Sequence, residues 1–155
     1  MNTDEFDAIE RDIRQQIDVA ATPLDAMTRT VRVLKTRMPA YTWVGIYLVE
    51  GDELVLGPYL GLPSPHTRIP IGRGICGAVA TLKSTIVVDD VSKDSRYLAC
   101  TLETKSEIVV PILRGQRVVA EIDIDSDALA AFSGRDMRML EAIAAMLAEK
   151  MAEHE

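Results

Sequence analysis

A chain of 155 residues is long enough to form one domain around a real hydrophobic core, and its 48% hydrophobic and 26% charged content is a globular balance. A net charge of −7, with the acids spread along the chain, argues against nucleic acid as a partner, because phosphate binding needs a basic face. No apolar run approaches the roughly 20 residues of a membrane span, and the start Met1-Asn-Thr-Asp-Glu5 is acidic where a signal peptide is basic, so a cytoplasmic protein with no membrane partner is expected.

Asn2 is placed to cap a first helix, with Glu5 three residues on and Ile9, Ile13 and Ile17 recurring every fourth residue. Thr22-Pro23 opens a second helix, because proline suits the first helical turn. Its face of Leu24, Met27, Val31 and Leu34 reads as a core face and also has the heptad-like spacing of a helix that pairs with a partner helix. From Tyr41 the period changes to two. Tyr41 to Val49 predicts a strand with Trp43, Gly45 and Tyr47 on one side and Val44, Ile46 and Leu48 on the other. Gly51-Asp52 signals a hairpin, and the return strand begins at Leu54.

After a rigid loop from Gly61 to His66, Gly72-Arg-Gly74 opens a short apolar helix ending at Leu82, and a β-branched run follows from Thr85 to Val88. The polar segment from Asp89 to Lys105 is too long for a tight turn, and such loops inside compact domains are usually functional or disordered. It is expected to close over a small-molecule pocket, with a thiol at its tip. A strand at Glu107–Val110, a turn at Arg114–Arg117 and a strand through Ile124 come next. Ser133 and Asp136 then form a cap signal for a C-terminal helix. The order predicts an α+β fold with an antiparallel sheet and helices packed on it. A single domain over 1–155 is expected: helices to residue 40, core sheet and pocket over 41–132, and a terminal helix over 133–155.

Glu121, Asp123 and Asp125 alternate with Ile122 and Ile124, so the three acids share one face. Periodicity alone favours a solvated outer face; a pocket would instead raise at least one pKa. Register discriminates between the two. A three-residue turn (Arg114, Gly115, Gln116) sets Glu107 opposite Asp123, a pairing a purely structural sheet avoids, whereas a two-residue turn sets Ile124 there. Cys76, just inside a helix N-terminus, is either a small buried apolar residue or a thiol stabilised as thiolate. Cys100 lies in the polar loop, where Arg96 or Lys105 could lower its pKa. Two cysteines in a cytoplasmic chain are expected to be reduced or redox-cycling, and with two histidines at no close spacing they predict no metal site. Trp43 and Tyr47 flank Gly45 as core or as walls for a small ligand, and His66 is either an exposed loop residue or a polar pocket wall.

The stretches Trp43–Tyr47, Arg68–Gly77, Ala99-Cys100, Ser106–Pro111 and Ile122–Ser126 together resemble the GAF domain family, and within it the branch of free methionine-(R)-sulfoxide reductases. The resemblance implies a pocket on one side of the sheet, with the terminal helices on the other. It implies that Cys100 attacks the sulfoxide sulfur and becomes a sulfenic acid that a second thiol resolves. Glu107, Asp123 and Asp125 would hold the substrate's amino group or protonate the leaving oxygen, with Trp43, Tyr47 and His66 around the substrate. No cofactor is implied beyond a thiol reductant such as thioredoxin, and a homodimer is implied. His66 stands where that branch usually carries its resolving cysteine. Resolution therefore falls to Cys76 or an external thiol, or else the pocket serves a non-catalytic ligand or redox sensor.

Overall fold

The computed structural model describes residues 1–99 and 103–154. Its elements, in order, are α1 (Thr3–Val19), α2 (Pro23–Arg37), β1 (Trp43–Glu50), β2 (Glu53–Leu60), β3 (Arg68–Pro70), α3 (Gly74–Leu82), β4 (Ile86–Val88), a 3₁₀ turn (Val91–Lys93), β5 (Ser106–Arg114), β6 (Arg117–Ser126) and α4 (Gly134–Ala152). The strands form one sheet in the order β3-β2-β1-β6-β5-β4, with every neighbouring pair antiparallel.

Local signals account for the helix starts. The Asn2 side chain accepts the Glu5 amide, the Thr22 hydroxyl accepts that of Asp25 ahead of Pro23, and Ser133 with Asp136 closes a capping box. Each device satisfies amides that a helix start leaves without partners. In α2, Met27, Val31 and Leu34 are buried against the core, but Leu24 is exposed. The apolar face thus begins one turn later than its spacing suggests, and its partner is this chain's own core.

Alternation divides the sheet between two cores. Val44 and Ile46 of β1, Ile108, Val110 and Ile112 of β5, and Ile122 and Ile124 of β6 pack with α1, α2 and α4. The other sides of the same strands carry Trp43, Tyr47 and Val109, which pack under α3 with Ile75, Cys76 and Val79. Tyr41 falls outside β1, contrary to the strand expected from it. Its hydroxyl instead donates to Asp136 at 2.6 Å, in the buried cap of α4, and its ring meets Phe132 at 5.6 Å. Among the described residues, no helix is long and apolar enough to cross a membrane.

Candidate active site

Strand register builds the site. The β5–β6 turn is the two-residue kind, with Arg114 opposite Arg117, and that alone would set Glu107 against Ile124. A bulge beside Leu113 inserts one residue, Val119, into β6. Glu107 therefore faces Asp125, and neither register expected from turn length is found. The bulge returns Glu107 to the acid face, and the β1–β6 register completes three cross-sheet rows. Glu107, Asp125 and Trp43 form the first, Val109, Asp123 and Gly45 the second, and Pro111, Glu121 and Tyr47 the third. This face is not solvated: Glu107, Glu121, Asp123 and Asp125 are at most 5% exposed. Carboxyls directly opposed across a ladder would be costly if all were charged, so their protonation states carry the chemistry.

Cys76 arrives from above on α3. The turn before that helix needs positive φ at Gly72 and Gly74 (96° and 70°), and a Cβ on Gly74 would lie 2.8 Å from Leu98. That close approach seats the 94–99 segment over the helix start. One donor atom from each of Cys76, Glu107 and Asp123 lies within 4.8 Å of the other two. The Cys76 thiol lies close enough to Asp123 and Glu121, and Glu107 close enough to Asp123 and Asp125, for each pair to share a proton and shift one another's titration.

Burial dominates the electrostatics. It pushes Glu107 well above the usual carboxylate range, with the charges of Asp123 and Asp125 adding to the rise. Asp125 is likewise raised well above that range by burial and then by Asp123, and Glu121 is pushed up to about 9 by the same two causes. Asp123 is raised less far, because Glu107 and Cys76 offer it hydrogen bonds that offset its desolvation. The arrangement is an Asp123 that ionises ahead of neighbours pushed further above the usual carboxylate range. Burial, followed by the charges of Asp123, Glu107 and Glu121, also raises the Cys76 thiol. Of the two readings of Cys76, the small buried residue is the one found, and the thiolate near a helix N-terminus is disfavoured by burial first and by the three acids next.

A cavity of about 20 Å³ meets this cluster, lined by Tyr47, His66, Ile69, Gly74, Ile75, Cys76, Leu98, Glu107 and Asp123. Five of the eight candidate residues from the sequence thus converge there. Asp125 and Trp43 are buried in the adjoining row but do not line it. The Trp43 indole lies over Gly45, where an added Cβ would be 2.3 Å from the ring, and it stacks on Tyr59 while donating to the Leu62 carbonyl. The space above the glycine therefore holds this ring and leaves no room for a ligand. The Tyr47 hydroxyl donates to the His66 carbonyl at 2.7 Å, and His66 Nε2 lies 3.0 Å from the Ala99 carbonyl. His66 is therefore a half-buried wall tied to the residue before Cys100. Cys100 itself lies outside the described residues. Arg96, one of the two cations expected to act on it, forms an ion pair with Asp94 at 2.8 Å within the same loop.

Glu121 is singled out in the sequence with Asp123 and Asp125 as one of three acids on a face, but the resemblance assigns it no role in the site. Only the register and the position of α3 place it against Cys76. A larger groove of about 640 Å³, between the β5–β6 turn and Lys83, carries neither thiol nor carboxyl among its lining residues.

A GAF domain family model matches residues 22–151. The chain is 33% identical to the free methionine-R-sulfoxide reductase of Escherichia coli (strain K12), over 98% of this chain and 92% of that protein. Among solved structures, the free methionine-R-sulfoxide reductase of Neisseria meningitidis, in complex with its substrate, superposes with a TM-score of 0.92 at 33% identity, covering 98% of this chain and 92% of that one. The type II enzyme of Thermoplasma acidophilum superposes at 0.79 with 35% identity, over 94% and 96% of the two chains.

Proposed function

Because the chain belongs to the GAF domain family and resembles free methionine-R-sulfoxide reductases over nearly its whole length, we propose that it reduces the R epimer of free methionine sulfoxide through Cys100. The observation that carries this reading is the buried acid cluster, its carboxyls raised above their usual range by burial, beside the segment leading to Cys100. The Cys100 thiolate attacks the sulfoxide sulfur and the S–O bond breaks. The oxygen passes to the cysteine as a sulfenic acid, and methionine leaves as the thioether. A second thiol then condenses with the sulfenic acid, releasing water and leaving a disulfide that a thiol reductant such as thioredoxin reopens.

Breaking the S–O bond needs a proton at the oxygen. Glu107 and Asp125, whose pKa values burial raises well above the usual carboxylate range, are the groups placed to supply it, a contribution of about 10²–10⁴ in rate. Asp123, the first to ionise, suits the substrate's ammonium group. A cavity of about 20 Å³ holds roughly one water, so an amino acid enters only when Leu98 and the residues around it move outward. The assay is turnover of separated R and S epimers with dithiothreitol or a thioredoxin system. Turnover of R alone, abolished by Cys100→Ser, is expected. Absence of turnover with both reductants, in protein whose thiols titrate as free, counts against the enzyme.

One observation favours a second reading, a ligand-binding sensor. A histidine, whose ring lies against the Ala99 carbonyl, occupies the position where the reductases usually carry a cysteine. That reading expects saturable binding of methionine sulfoxide that survives Cys100→Ser.

A further inference from the structure

We propose that Cys76, Glu107 and Asp123 form a binding site for one thiophilic divalent cation of the zinc class, with a water as fourth ligand in the adjoining cavity. Spacing in the sequence could not show this site, because its donors come from three elements (α3, β5 and β6) and two of them are carboxylates. Tetrahedral zinc, with bonds of about 2.3 Å to sulfur and 2.0–2.2 Å to oxygen, places its ligands roughly 3.4–3.7 Å apart. The three donor atoms already lie within 4.8 Å of one another, so side-chain rotations of about an ångström close the set. All three residues are buried and line the same cavity of about 20 Å³, enough for one bound water. Three protein ligands with an open fourth position is the pattern of zinc sites that retain a water.

A second observation points to a ligand. Asp123 is only 4% exposed and lines the cavity, yet its Oδ1 has no hydrogen-bond partner. Buried carboxyl oxygens are costly to leave unmatched, and among the described residues no lysine or arginine lines the cavity to pair with them. A divalent cation that displaces the protons of the thiol and the two carboxyls gives those oxygens a partner. Thiolate ligation excludes calcium and magnesium, and the two carboxylates disfavour copper(I). The site shares Glu107 and Asp123 with the proposed substrate pocket, but it stands on its own geometry and needs no turnover.

The probe is Co²⁺ alone, titrated into reduced Cys100→Ser protein, so that Cys76 is the only thiol. One equivalent is expected to bind with a near-ultraviolet thiolate-to-cobalt charge-transfer band, and Zn²⁺ is expected to displace it. Asp123→Asn and Glu107→Gln, each checked for cooperative unfolding, are expected to weaken binding at least about tenfold, since loss of even an outer-shell partner costs that much. Absence of the band overturns the proposal. So does an unchanged affinity in whichever of the two carboxyl variants folds. Reductase activity can fail while the band appears, or persist without it, so the two readings are judged separately.

Discussion

Glu121 provides a sharp test of the electrostatics, because it is fully buried and no cation among the described residues acts on it. Its pKa rises from 4.5 in the unfolded chain to about 9 in the native state, first through burial and then through the Asp123 charge. Above pH 4.5 the unfolded chain releases a proton that the native protein still holds, so this group lowers stability as pH rises and stops doing so only above about 9. Between 4.5 and 7 there are about 2.5 units at about 1.4 kcal/mol each, or roughly 3 kcal/mol at neutral pH. Glu121→Gln keeps the shape and removes the titration. Any cost of burying the amide is independent of pH, and Glu107, Asp123 and Asp125 titrate in both proteins, so the difference between the two isolates Glu121. Urea unfolding at several pH values from about 4.5 to 8 should show the variant gaining about 3 kcal/mol on the parent by pH 7, or roughly 6–12 °C in melting temperature for a chain of this size. A difference constant within about 0.5 kcal/mol across that range would refute the reasoning.

Gly45→Ala sets a methyl group 2.3 Å from the Trp43 ring, which its bond to Leu62 and its stacking on Tyr59 hold in place. Overpacking of this kind costs about 1–3 kcal/mol, and urea unfolding should show that loss together with a shifted emission from the single tryptophan. Asp136→Ala removes both the capping box of α4 and the acceptor of the buried Tyr41 hydroxyl. A lost cap and an orphaned buried donor together amount to about 2–4 kcal/mol, whereas Tyr41→Phe, which removes only the donor, should cost about 1 kcal/mol; a smaller loss for Asp136→Ala than for Tyr41→Phe refutes the shared role.

Much of the fold is legible in short-range pattern. Asn2, Thr22-Pro23 and Ser133 mark helix starts because capping is decided within four residues. The alternation of Trp43 to Leu48 and of Glu121 to Asp125 states which residues share a side, because the strand period is two. The resemblance of Arg68–Gly77, Ser106–Pro111 and Ile122–Ser126 to one family likewise needs only the order of residues. What covers each side is not a local property. The acid face reads as solvated until β5 and β6 are paired, and the bulge at Val119, which no turn rule foretells, decides that Glu107 joins it opposite Asp125. The helix-terminus effect on Cys76 is a correct local argument that loses first to burial and then to Asp123, Glu107 and Glu121, all at least 31 positions away in the chain. Trp43 over Gly45 and Tyr41 on Asp136 have the same origin. Periodicity orients side chains, but burial and pKa depend on contacts between distant segments, which exist only once the chain has closed its sheet and laid α3 across it.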